Sequence, residues 1–184
     1  MSNITISKKI CFLYTDTNGL HNTDENVSTK NLYAFARLIA LHYSIGYYDM
    51  GKYNEIKRCS KIIKPDTINF DKIAMKFHNI TRDKADKEGI VNTIVISELK
   101  DDLKDVDVII SHSLPFYLKS IQVECFRSAI NIDFSKFILI DTMTFGHSNS
   151  FPKLNDMVKK LKLKNISQLD NIIQVFFKLY NDQL

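Results

Sequence analysis

Glycine and proline are scarce in this chain, at 5 and 3 of 184 residues, which excludes collagen-like, low-complexity and largely disordered sequences. Cysteine is scarcer than a disulfide framework needs. Cys11, Cys59 and Cys125 stand far apart with no C-x-x-C spacing, so neither a stapled scaffold nor a zinc site is indicated, and a reducing, intracellular compartment (cytoplasmic or nuclear) is expected. Long apolar runs are missing as well. Nothing approaches the ~18–20 residues of a membrane span, and Met1–Ile10 has neither the charged start nor the apolar stretch of a signal peptide, so no membrane partner is expected. What is present is a hydrophobic fraction of 45% beside 25% charged residues, enough for an ordinary core. The length suits one domain over 1–184, since domains usually run ~100–150 residues. A net charge of +4 is modest for a dedicated nucleic-acid binder and by itself decides nothing.

Along the chain, Lys9–Tyr14 is a short apolar run that stops at Thr15-Asp16-Thr17-Asn18-Gly19, the pattern of a buried strand ending in a turn. A second strand is expected from about Leu38, paired with Lys57–Lys64, with a hairpin turn in Gly46–Asn54. Pro65 ends that strand, and Ile73, Ala74 and Phe77 recur at helical spacing within Asp71–His78. Val91–Leu103 reads as an amphipathic helix leading into Val106–Ile110, a β-branched run typical of a parallel strand covered on both faces. Leu118–Ala129 reads as a helix and Phe137–Ile140 as another buried strand. Helices at Leu154–Leu161 and Gln168–Leu179 close the chain. Three strands followed by alternating helix and strand predict an α/β fold, a mixed sheet with helices on both faces.

Six short motifs in order then resemble the DnaQ-like (DEDD-type) 3′–5′ exonucleases of the RNase H-like fold. The first is Phe12-Leu13-Tyr14-Thr15-Asp16-Thr17-Asn18-Gly19-Leu20, similar to the family's apolar strand followed by Asp-Thr-Glu-Thr-Thr-Gly-Leu. Ile63-Lys64-Pro65 and His78-Asn79-Ile80-Thr81 resemble a "KP … HGIT" stretch. Val108 to Tyr117 resembles the strand and "HNa.FD" motif, and Ile140-Asp141-Thr142-Met143 an "iDTm" strand. Asn165 to Asp170 keeps an H-x4-D spacing before the last helix. The resemblance covers nearly the whole chain.

The family chemistry that the resemblance implies uses two divalent cations roughly 4 Å apart, held by four carboxylates, with a histidine as general base. Aligned without a gap at Gly19-Leu20, Tyr14 takes the first acid position, Asp16 the second, Tyr117 the third, Asn165 the general base and Asp170 the fourth. A gapped register puts Asp16 first and Asn18 second, and still leaves two acids. A tyrosine, with a reference pKa near ~10, is neutral at pH 7 and supplies no charge to a hard cation. Asparagine exchanges no proton near neutrality, so base catalysis worth ~10²–10⁴-fold is lost.

The expectation is therefore an exonuclease-like protein, a pseudoenzyme with no intact catalytic set. It requires no cofactor, and Asp16 and Asp170 hold one Mg²⁺ or Mn²⁺ at most. Such a domain is retained as a subunit that binds single-stranded nucleic acid or a protein within a replication, repair or transcription assembly. The alternative is an active, divergent metal-dependent 3′–5′ exonuclease that recruits acids such as Asp24 or Asp141. Asn18, Gly19, Leu20, His21 and His112 are candidate nucleic-acid contacts. Tyr14 and Tyr117 are core fillers or base-stacking rings; His78 and His112 read as structural. His147 matches no catalytic position. Lys153, Lys159, Lys160, Lys162 and Lys164 cluster around one helix, as a solvated face or a set of phosphate contacts.

Overall fold

A computed structural model describes residues 8–49, 52–66, 69–144 and 151–181. Strands β1 (Lys8–Thr17), β2 (Leu38–Asp49) and β3 (Lys52–Ile62) come first, followed by helices α1 (Lys72–His78), α2 (Arg82–Glu88) and α3 (Asn92–Asp102). Then come β4 (Val108–Ser111), α4 (Leu114–Ser128), β5 (Ile138–Asp141), α5 (Leu154–Lys160) and α6 (Gln168–Asn181). The sheet order is β3-β2-β1-β4-β5, antiparallel through the hairpin and parallel from β1 to β5.

The two-residue period of β1 sorts its side chains between two cores. Cys11 and Leu13 face α3 and α4, packing with Leu41, Tyr43, Ile96, Leu99 and Ile121. Ile10 and Phe12 face the opposite layer, where α6 delivers Leu169, Ile172 and Phe176. Helices thus cover both faces, as the sequence predicts. Among the described residues no helix is long and apolar enough to cross a membrane.

Two expectations need correction, and one helix went unread. The stretch Gly46–Asn54, expected as a hairpin turn, instead continues both strands as far as the pair Asp49↔Lys52; residues 50–51 lie outside the described residues. The run at Phe137–Ile140 becomes the edge strand β5 rather than a buried one, with Ile138 and Leu139 49% and 43% exposed. Helix α2 is unannounced by the sequence: its seven residues bury only Ala85, so no apolar period betrays it, and Thr81 caps its start by accepting from Lys84 N.

One irregularity in the hairpin decides which β3 side chains turn toward α6. The register slips between Ile45 and Gly46, so that Ile45 faces Lys57 while Gly46 faces Glu55 and Ile56 is the extra residue of a β-bulge. Without the bulge, Glu55 and Arg58 would point to opposite faces, because their positions differ by an odd number. With it, both point toward α6. Gly46 permits the close approach: a Cβ there would collide with the Asn54 carbonyl and the Tyr53 ring.

The end of β1 is held by a buried ion pair. Glu124, 1% exposed on α4, accepts from Arg37 Nε at 2.6 Å, Leu38 N at 3.3 Å and Asn92 Nδ2 at 3.1 Å. Arg37 in turn bonds Asn18 through its own backbone, donating from N to Asn18 Oδ1 at 2.7 Å and accepting from Asn18 N at 3.0 Å. Removing Glu124 leaves the largely buried Arg37 guanidinium with only the exposed Asp66, 3.3 Å away, as ion-pair partner, and takes the acceptor from Leu38 N. Glu124→Ala is therefore expected to destabilise the protein by about 3 kcal/mol or more, read from the shift in a urea unfolding curve.

Candidate functional site

The site lies where β1 ends against the first turn of α6. Direct cross-strand partners share a face, so Tyr14, His42 and Ser60 form one row across β1, β2 and β3, and Phe12, Ser44 and Arg58 the next. Both rows look toward α6. The Tyr14 ring stacks flat on His42, with centroids 4.4 Å apart and planes 9° apart, and meets Tyr117 edge-on at 6.5 Å.

Asp16 and Asp170, the aspartates expected as metal ligands, each have a partner. Asp16 Oδ2 accepts from His42 Nε2 at 3.1 Å, while Ser60 Oγ lies 2.8 Å from His42 Nδ1. With Nε2–H on Asp16, Nδ1 faces the Ser60 hydroxyl, a group that serves as donor to a neutral ring and as acceptor from a protonated one. Ser60 does not line the adjoining groove, so this relay offers no nucleophile to a ligand seated in it.

Asp170, in the first turn of α6, accepts from Arg58 Nη2 at 2.8 Å and from Ser167 Oγ at 2.6 Å. Arg58 also binds Glu55, at 2.8 Å from the same nitrogen and 3.0 Å from Nε, and Glu55 accepts from Ser44 Oγ at 2.6 Å. The guanidinium is thus held between two carboxylates, and the hydrogen bond to Glu55 leads the effects that raise its pKa. Partial burial would raise Asp170, but the bonds from Ser167 and Arg58 outweigh it and hold the carboxyl below its ordinary value. Glu55 is lowered chiefly by its bond to Arg58.

The phenols at the first and third positions are pushed the other way. Burial, then the nearby charges of Asp16 and Asp170 and the phenol of Tyr117, raise the Tyr14 pKa. Burial likewise leads the rise of Tyr117 to about 12, and its hydroxyl accepts from Gln168 Nε2 at 3.3 Å. Both stay neutral across the physiological range. Among the described residues no group of three or more His, Cys, Asp or Glu side chains converges as a metal site. Neutral phenols with carboxylates paired to a histidine and an arginine do not fit the pair of hard cations that the resemblance implies.

Tyr14, Asp16, Tyr117 and Asp170 thus converge, and the remaining expected residues are placed differently. Asn165 stands apart, its Oδ1 accepting from Asn171 Nδ2 at 2.7 Å. Asp141 caps α4, accepting from Ser113 N at 2.7 Å and Leu114 N at 3.1 Å. Asp24 is exposed outside the groove, its carbonyl taken by Lys119 Nζ. His112 is buried between Thr142 Oγ1 at 2.9 Å and the Pro152 carbonyl at 2.8 Å, which removes it from any ligand surface. His21 stacks on Phe116 at 4.3 Å, its Nδ1 accepting from Ala36 N and its Nε2 donating to the Phe116 carbonyl. Burial first, and Lys119 after it, lower its pKa. His147 lies outside the described residues.

Asn18, Gly19 and Leu20 do line a groove, of about 1050 Å³, beside this cluster. Its lining includes Asp16, Tyr33, Phe35, Ile73, Phe77 and His78 together with Phe116, Tyr117, Asn155 and Gln168. His78 takes Ile80 N on its Nδ1 at 3.0 Å, and burial lowers its pKa against the pull of Asp16. Sequence reasoning missed His42, Glu55 and Arg58. The signal for His42 lay in the hairpin pairing, which puts it opposite Tyr14; for Arg58 the bulge hides it.

No protein-family model and no curated protein matches the sequence. Solved structures do. The E. coli exonuclease I complex with a dT13 oligonucleotide superposes with a TM-score of 0.68 at 13% identity, covering 96% of this chain and 40% of that one. Product-bound exonuclease I gives 0.73 at 13%, over 95% and 43%. A 3′-exonuclease described in 3′-end-specific recognition of the histone mRNA stem-loop gives 0.69 at 15%, over 96% and 83%. The chain thus spans less than half of the exonuclease I chains. The likeness establishes the fold: an α/β, RNase H-like mixed sheet of the exonuclease kind.

Acidification tests the Arg58 arrangement. A lowered carboxyl contributes stability in full above its unfolded value, ~3.9 for Asp and ~4.3 for Glu, and loses it as pH falls through the folded value. Arg58→Ala should cost on the order of 1 kcal/mol near neutrality, given its partial exposure. The gap in melting temperature between wild type and variant should then close as pH falls below about 4. A gap that persists at lower pH contradicts the assignment.

Proposed function

We propose that the chain is a single exonuclease-like domain whose 3′–5′ exonuclease site is silent, and that its groove is kept to bind single-stranded nucleic acid within a replication, repair or transcription assembly. The observation that carries this reading is the prior commitment of both remaining acids: Asp16 to His42 at 3.1 Å and Asp170 to Arg58 at 2.8 Å. A cation entering there would have to displace a guanidinium and an imidazole N–H, and would gain only neutral phenols at the other two positions. Asn165, tied to Asn171, supplies no general base.

Nucleic acid as the ligand is supported by the groove beside the silent site, which offers Asn18, Gly19 and Leu20 at its rim. It is supported too by the structural neighbours, one of which is a complex with an oligonucleotide. The groove is rich in rings, and aromatic faces take any base at about 1–3 kcal/mol each.

The purified chain incubated with Mg²⁺ or Mn²⁺ and labelled single-stranded DNA or RNA should leave the 3′ end intact while retarding the same oligonucleotides on a gel. Shortening that disappears in Asp16→Ala overturns the silent-site reading. Failure to retard any oligonucleotide overturns nucleic acid as the ligand and favours a protein partner.

A further inference from the structure

The lysines around α5 form a second feature, which the silent site does not explain. Residues 153–164 carry five lysines (153, 159, 160, 162 and 164) and one acid, Asp156, leaving 20 basic and 20 acidic residues in the rest of the chain. The whole formal excess of +4 therefore sits on this one segment.

Packing fixes where those charges point. Leu154, Met157, Val158 and Leu161 follow the helical period, and with Leu163 they bury against Val175 and Leu179 of α6. The lysines are left on the outer side, all five exposed, and none forms an ion pair with a described carboxylate. Helix-dipole stabilisation accounts for Lys159 and Lys160 in the last turn. It does not account for Lys153, which occupies the N-cap where positive charge is disfavoured, nor for Lys162 and Lys164 beyond the helix. The segment is also fixed rather than trailing: Lys162 N bonds the Lys159 carbonyl at 3.1 Å, Leu163 N the Val158 carbonyl at 2.9 Å, and Gln174 Nε2 the Lys164 carbonyl at 3.1 Å.

This basic platform is continuous with the groove. Asn155, in the first turn of α5, and Gln168, at the start of α6, both belong to the groove wall. The same lining carries two rings and an aliphatic side chain that stand largely exposed: Tyr33 and Phe77 are each 84% exposed and Leu20 is 80% exposed. The groove itself brings Asp16 and Asp71 but no lysine or arginine, so it suits bases better than phosphates.

The geometry points to a divided binding path for a single strand of nucleic acid, with bases against Tyr33 and Phe77 in the groove and the phosphate backbone leaving over Lys153–Lys164. This path rests on the proposed role of the groove and adds the direction of the strand and the residues that neutralise it. Polyanions that lack bases, such as an acidic peptide, would engage the lysines alone.

The test is fluorescence anisotropy with a fluorescein-labelled oligothymidylate across a KCl series, using the full chain. Replacing Lys159, Lys160, Lys162 and Lys164 by Gln should flatten the plot of log affinity against log salt by about 1.4–2.8, at ~0.7 for each of two to four phosphates no longer neutralised. A charge-matched variant with Gln at Lys84, Lys87, Lys100 and Lys136 should keep the wild-type slope, and Tyr33→Ala with Phe77→Ala should weaken binding without changing it. Wild-type binding with an unaltered slope in the α5 variant overturns the path and leaves the role of the groove standing. No wild-type binding overturns both. Displacement of the oligonucleotide by polyglutamate as effectively as by unlabelled oligothymidylate overturns nucleic acid as the occupant.

Discussion

The Arg58 guanidinium, held between Glu55 and Asp170, is the interaction on which the rest of the site depends. It ties the edge strand of the hairpin to the first turn of the last helix, and it occupies Asp170 with a fixed positive charge. A metal ion must be able to bind, polarise and release. A guanidinium with a raised pKa does none of these, because it neither coordinates an oxygen as a Lewis acid nor exchanges. His42 does the matching work at Asp16. Its ring is locked between Ser60 and the aspartate and covered by Tyr14, so Asp16 is held by an imidazole N–H in a packed stack.

These contacts support one another. Tyr14 supplies the flat surface on which His42 stacks. Tyr117 packs edge-on against Tyr14. The bulge at Gly46 turns Glu55 and Arg58 to the same face, and Glu55 shares the guanidinium with Asp170. An acid placed at position 14 or 117 would be an unpaired carboxylate beside aromatic rings, with Asp16 and Asp170 still committed to their partners.

Much of the fold was legible in the amino-acid order because its signals are local. The apolar run before Asp16, the pairing of the strand from Leu38 with Lys57–Lys64 and the β-branched run before His112 all reappear as strands. Helix α2 was not, since Arg82–Glu88 buries one alanine and shows no apolar stripe. The exposure of Ile138 and Leu139 was not, since whether a strand is central or at an edge is decided by its neighbours. The tyrosines at positions 14 and 117 were likewise readable, but the partners of Asp16 and Asp170 were not. Arg58 lies 112 residues from Asp170, and only the bulge brings it to the right face.

A silent site requires that Asp16 and Asp170 be closed to cations. Anomalous diffraction at the manganese edge, from crystals soaked in Mn²⁺, addresses this directly. The expected map has no peak within ligating distance of either carboxylate, with Arg58 still on Asp170 and His42 still on Asp16. Two peaks about 4 Å apart, bridged by these side chains with Arg58 swung away, would contradict it.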